Sequence, residues 1–293
     1  MIYIQDFVYK TLAFVSSTLV LLSSTTYSAS PGHANPIKSA TFVSEKFELG
    51  PGKVAEKAFF DIEFPRGHIG VKSFDAELVD EEGNSVPLYE TYLHHWFALR
   101  YLVKINATQD PQNPNPYAGK EVIRNAGTCN TYILPHFWGL GSESRGTPSK
   151  LPDPLAVELG NAASTRPEYE EKWMFNLMAI DTRGAENKKG CTEGKCDLFN
   201  LPKDFYNNTL GMDLKPLSPT YEGGIFCCKD GFQCKLQKGF LAQTRKLSLR
   251  YKITWVDWNE FQVPVKFYVL DSTDRVIRNG STTIHDCQVK IYF

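Results

Sequence analysis

Along most of the chain apolar and polar side chains alternate with a period of two. In LSLRYKITW, Leu247, Leu249, Tyr251, Ile253 and Trp255 share one face, while Ser248, Arg250, Lys252 and Thr254 share the other. That pattern predicts a half-buried antiparallel strand. FFDIEFP predicts a second strand, with Phe60, Ile62 and Phe64 on one face. VPVKFYVLD repeats the pattern through Val263, Val265, Phe267 and Val269, and Pro264 confines it to an edge or to the start of the strand. ETYLHHWFALRY and WMFNLMAID also read as strands, and no long amphipathic helix is present. The predicted fold is an all-β antiparallel sandwich.

Turn chemistry separates these runs at ELGPGK, DEEGN, CKDG and RNGS. Two stretches rich in Pro, Gly, Ser or Asn, residues 106–120 and 139–160, predict long surface excursions. A cysteine-bearing segment, residues 183–234, predicts an insertion of stapled loop. No internal repeat is visible.

The two ends differ from this body. Lys10, the apolar run Leu12 to Leu22 and the small polar residues SSTTYSAS have the layout of a secretory signal peptide over residues 1–30, with cleavage expected between Ala29 and Ala34. The run is too short for a transmembrane helix, which needs about 20 residues. Residues 31–293 then form the exported sandwich. The last residues, TTIHDCQVKIYF, stop inside a strand pattern, so the second half of the domain is expected to be incomplete at its carboxyl end.

With 42% hydrophobic residues the chain can bury a substantial core, and 32 basic against 33 acidic residues leave a net charge of −1. No block of like charge offers a surface for nucleic acid or an anionic membrane. Seven cysteines, at 129, 191, 196, 227, 228, 234 and 287, become disulfide candidates in an exported chain. Their spacing, CxxxxC and CCxxxxxC, is not that of a zinc site. We expect Cys191 to pair with Cys196, Cys227 or Cys228 with Cys234, and the remaining member of that doublet with Cys129, leaving Cys287 alone. Sequons at Asn106, Asn207 and Asn279 are candidate glycosylation sites.

The chemistry worth weighing lies in His94 and His95. On a regular strand neighbouring side chains point to opposite faces, so His95 would join Leu93, Phe97 and Leu99, and His94 would join Tyr92, Trp96 and Ala98. Two readings stay open: a pair of core histidines in a central strand, or a metal site made possible by a bulge. His136 and Met178 are further candidate ligands, the thioether being suited to copper. His68, His33 and His285 carry less weight. No GxSxG, HExxH, P-loop or GxGxxG motif is present, and no catalytic residue is assigned.

FVSEKFELGPG, DIEFPRGHIGVKSFDAELVDEEGNSVPLYETYLHHW, GLGSESRGT, AIDTRG, CTEGKCDLFN, GGIFCCKDGFQC and VDWNEFQVPVKFYVLD resemble the plant stress up-regulated Nod protein family. The resemblance runs from about residue 38 to the end. It implies a secreted, stress-responsive, nodulin-like protein with no reaction attached. More distantly, the histidine pair resembles that of the type II, ascorbate-dependent copper monooxygenases, whose jelly-roll-like sandwich binds one copper through such a pair and a third histidine on a later strand. Carried over, His94 and His95 match the pair, and Met178 or His136 would stand in for the third ligand. The longer members of the family continue into a segment resembling the second copper domain, which this sequence does not include. The resemblance therefore implies metal binding rather than turnover.

Two functions are expected from this reading. One is an exported β-sandwich of unassigned biochemical activity that binds a cell-wall or small-molecule ligand. The other is a copper-binding, monooxygenase-like protein or an inactive remnant of one.

Overall fold

Alternation leaves each strand with one apolar face, and two sheets bury those faces against each other. The computed structural model describes residues 35–106, 115, 117–123, 137–141, 149–164, 166–211, 214–224, 226–265, 276–278 and 281–283. In chain order the strands are β1 (Lys38–Val43), β2 (Phe47–Leu49), β3 (Val54–Phe60), β4 (Ile69–Val79), β5 (Thr91–Lys104), β6 (Lys120–Val122), β7 (Phe137–Gly141), β8 (Ser149–Lys150), β9 (Leu155–Leu159), β10 (Tyr169–Asp181), β11 (Arg245–Asp257), β12 (Val263–Pro264), β13 (Val276–Arg278) and β14 (Ser281–Thr283). The helices described are single turns, α1 (Lys188–Thr192) and α2 (Phe205–Asn208), with short 3-10 turns elsewhere.

The first sheet has the order β1-β11-β4-β9-β12, with β2 also on β11 and β8 on β4; the second has β3-β10-β5-β6, with β7 also on β5. All these pairings are antiparallel except that of β12 with β9. β13 and β14 form a separate hairpin. Between the sheets lies one core, with Phe74, Leu249, Tyr251 and Ile253 from the first and Leu93, Trp96, Phe175 and Leu177 from the second. Its centre is aromatic: Phe74 lies 4.8 Å from Trp96 and Phe175 meets Tyr251 edge-on at 4.6 Å, ring centre to ring centre. Tyr251 stays compatible with burial because its hydroxyl donates to the Glu63 carbonyl at 2.6 Å. The all-β antiparallel sandwich expected from the sequence is the fold observed.

Two local expectations change, and a third is met as far as the described residues run. The strand in FFDIEFP ends at Phe60, because Asp61 adopts a left-handed backbone (φ 55°) that turns the chain, so that Ile62 and Phe64 pack against the central core while Phe60 packs with Leu99, Tyr101 and Met174. The excursion 139–160 is partly sheet: Gly139 to Gly141 close β7, and β9 buries Val157 and Leu159 against the core. In VPVKFYVLD the described residues end at Val265; among them Val263 and Pro264 pair, at the sheet edge as Pro264 requires.

The cysteine-bearing segment folds back on the outer face of the second sheet. The Val54 N–H donates to the Phe232 carbonyl and the Cys234 N–H to the Gly52 carbonyl, each at 2.8 Å. The disulfides described are Cys191 to Cys234 and Cys196 to Cys227, with Cα separations of 5.9 and 5.0 Å. This corrects the expected pairing of Cys191 with Cys196. Between them the chain reverses at Gly194 (φ 69°), so Cys191 enters a small core with Phe199 and Met178, whereas Cys196 enters another with Phe205 and Leu217. Neighbouring Cys227 and Cys228 likewise part, one into each core, and Cys228 keeps a free, buried thiol. Cys129 and Cys287 lie outside the described residues.

Candidate metal centre

Strict alternation along β5 would put Leu93 and Trp96, three residues apart, on opposite faces; both instead sit in the core between the sheets. The register against β10 shows the cause. Met178 faces His95 and Ala179 faces Leu93, so His94 is the extra residue between two consecutive rungs of the ladder. This is a β-bulge, and it turns both imidazoles to the outer face of the second sheet. The burial pattern agrees: Leu93 and Trp96 are buried, whereas His94 and His95 between them are both half-buried.

The rings converge. Nδ1 of His94 and Nδ1 of His95 are 3.4 Å apart, with ring planes at 82°. Nitrogens that each lie about 2.0–2.1 Å from one tetrahedral ion stand about 3.3–3.4 Å apart, so the observed gap matches two ligands on a single ion as well as a hydrogen bond between the rings. His95 stacks on Phe97 (5.7 Å, 13°) and Tyr92 presents its edge to His94 (5.9 Å, 88°). Nε2 of His95 points away from the gap and lies 3.0 Å from Oδ1 of Asn176. On the side of β7, Gly141 is the residue opposite His95.

Met178 shares this face. Its neighbours Leu177 and Ala179 point into the central core, and Met178 is directly opposite His95, buried with Cys191, Cys228 and Cys234. The stapled segment thus roofs the thioether. His136 lies outside the described residues, as do His33 and His285. His68 belongs elsewhere, paired with Glu158 at 2.8 Å and stacked on Trp258. Among the described residues no group of three or more His, Cys, Asp or Glu side chains is placed to hold an ion. The donors available at the bulge are therefore two imidazoles and a thioether, all uncharged. That set suits a soft ion such as copper(I) better than calcium or magnesium. Asn176 carried no signal as a site residue in the sequence; a lone amide within WMFNLMAI was the available clue.

A second concave feature opens where the Asp61–Gly67 connection meets the end of β9 and the start of β10. It is a cavity of about 210 Å³, walled by the stacked Phe64 and Trp173 rings and by Asp61, Arg66, Glu171 and Lys172. Its charges are mostly satisfied within the protein, Lys172 by Asp61 at 2.9 Å and Glu171 by Arg100 at 3.5 Å. Burial raises the Glu171 carboxyl above the usual range despite the nearby guanidinium, and burial lowers Arg100.

Of the three sequons, Asn106 and Asn207 are exposed and Asn279 lies outside the described residues. Among the described residues no helix is long and apolar enough to cross a membrane. Residues 35–292 match the model of a family described as stress up-regulated Nod 19. Among curated proteins and solved structures nothing matches this chain.

Proposed function

The chain belongs to the stress up-regulated Nod 19 family, and on that footing we propose that it is an exported, disulfide-stapled β-sandwich that binds one copper ion at His94 and His95. The observation that carries this reading is the bulge in β5, which brings the two Nδ1 atoms to 3.4 Å on one face. Regular pairing would have separated them. Met178, directly across the ladder from His95, is a soft donor on the same face. Bound copper would supply one-electron chemistry by cycling between its two common oxidation states; the protein's own part is to hold the imidazoles and shield the thioether. The kinship to copper monooxygenases rests on the pair alone, so binding, and not oxygenation of a substrate, is the function proposed.

Export is supported by the leader-like amino terminus and by the Cys191–Cys234 and Cys196–Cys227 bridges, which persist in oxidising compartments. Exposed Asn106 and Asn207 are then available for glycosylation. Copper(I) titration against a chromophoric chelator tests the proposal with the whole chain and its His94→Ala and His95→Ala variants. One tightly held equivalent in the wild type and at least a tenfold weaker hold in each variant is the expected result. Equal, weak uptake by all three refutes it.

A further inference from the structure

Asn176 is a polar interruption in an otherwise apolar strand centre. It is 8% exposed, flanked by Met174, Phe175, Leu177 and Met178, which are 5% exposed or less. Asparagine is poorly suited to a strand, and a buried amide without a partner is costly. Leucine would fill such a position with fewer demands. The hydrogen bond to His95 is the contact that accounts for an amide there.

That bond fixes more than the ring's orientation. Oδ1 of an amide only accepts, so Nε2 of His95 must carry the hydrogen. A neutral imidazole has a single N–H, which leaves Nδ1 of His95 with an in-plane lone pair. Nδ1 is the atom that faces His94 at 3.4 Å. We infer that Asn176 is a positioning residue that locks His95 in the Nε2–H tautomer, so that its Nδ1 is set as a donor before any ion arrives. The inference rests on the copper-binding reading for its purpose, though not for its physical content.

An asymmetry between the two histidines follows. Without an ion, the His94 Nδ1–H donates to the His95 Nδ1 lone pair. To ligate through Nδ1, His94 gives up that proton and takes one at Nε2 from water, with no net release. His95 needs no such change. Partners beyond a metal-ligating histidine typically contribute about 10–100-fold to affinity.

Long-range proton–nitrogen NMR of ¹⁵N-histidine-labelled full chain at pH 8 reads the tautomers directly. The wild type should show His95 purely as the Nε2–H form, unchanged by copper(I), while His94 switches from Nδ1–H to Nε2–H on loading. In Asn176→Leu, which removes the acceptor without opening a cavity, His95 should become a mixture and copper(I) affinity should fall about 10–100-fold. Asn176→Asp, which restores an acceptor, should bring both back towards the wild type. An Nδ1–H tautomer at His95 in the wild type, or an unchanged tautomer in Asn176→Leu, overturns the inference. The wild-type spectrum decides the point even if the leucine variant fails to fold. Failure of the parent proposal is distinct: the tautomer is as stated, yet the wild type takes up no copper.

Discussion

Cys228 sits in the small core that also holds the Cys191–Cys234 bridge, and burial, helped by the nearby Glu56 carboxylate, pushes its thiol up to about 12. Only a thiolate attacks disulfides or alkylating agents. Iodoacetamide at pH 8 should therefore leave the Cys228 peptide unmodified in the native protein and label it in denaturant, as read by mass spectrometry. The same group makes stability depend on pH with a defined sign. Below its ordinary value of 9.0, folded and unfolded chains both hold the proton; from there to about 12 only the unfolded chain releases it. Stability thus falls as pH rises through this window, by about 1.4 kcal/mol per unit from this group. Cys228→Ala should remove that slope in alkaline urea titrations; an unaltered slope would contradict the assignment.

The bulge is the element-scale device that matters most. Deleting His94 should restore regular pairing of Leu93 and His95 with β10 while leaving Leu93 and Trp96 in the core. The account predicts a folded variant whose melting temperature changes little and whose copper(I) affinity collapses; tight copper retention would show that the bulge does not build the site. Across the same pair of strands, Arg100 and Glu171 are 13% and 17% exposed and lie 3.5 Å apart. Removing the guanidinium leaves the buried Glu171 carboxylate without its ion-pair partner, so Arg100→Met should cost about 3 kcal/mol, whereas Arg100→Met with Glu171→Met together should recover most of it. Urea denaturation of the single and double variants measures this.

What could be read from the sequence divides at the same scale. The strand at Leu247 to Trp255 was legible because its apolar positions alternate without a break from Leu247 to Ile253; the register shift between Thr254 and Trp255 was not. The strand carrying the histidines was legible as a strand, but HisHis fits a regular or a bulged backbone equally well. Only the ladder with Met178 and Ala179, seventy and more residues away, decides between them. Asp61 and β9 were missed for local reasons: a left-handed residue can interrupt a good alternation, and a five-residue strand between prolines and glycines looks like loop.

At the scale of the whole molecule, the sandwich supplies a rigid face and the stapled segment covers part of it. The staple's connectivity was not legible from spacing, because four residues between Cys191 and Cys196 looked short enough to bridge while the turn at Gly194 sends the sulfurs into different cores. Non-reducing peptide mapping should recover Cys191 with Cys234 and Cys196 with Cys227; a fragment joining Cys191 to Cys196 would contradict the structure. Since Met178 packs in the core held by one of these bridges, the face that carries the histidines and the staple form one unit. The most direct test of the central claim is copper-edge X-ray absorption on the loaded wild-type protein. Two adjacent imidazoles on one ion, joined by a sulfur scatterer that disappears in Met178→Leu, is the predicted result. A spectrum with a single imidazole, or one unaffected by replacing His94 or His95, would contradict it.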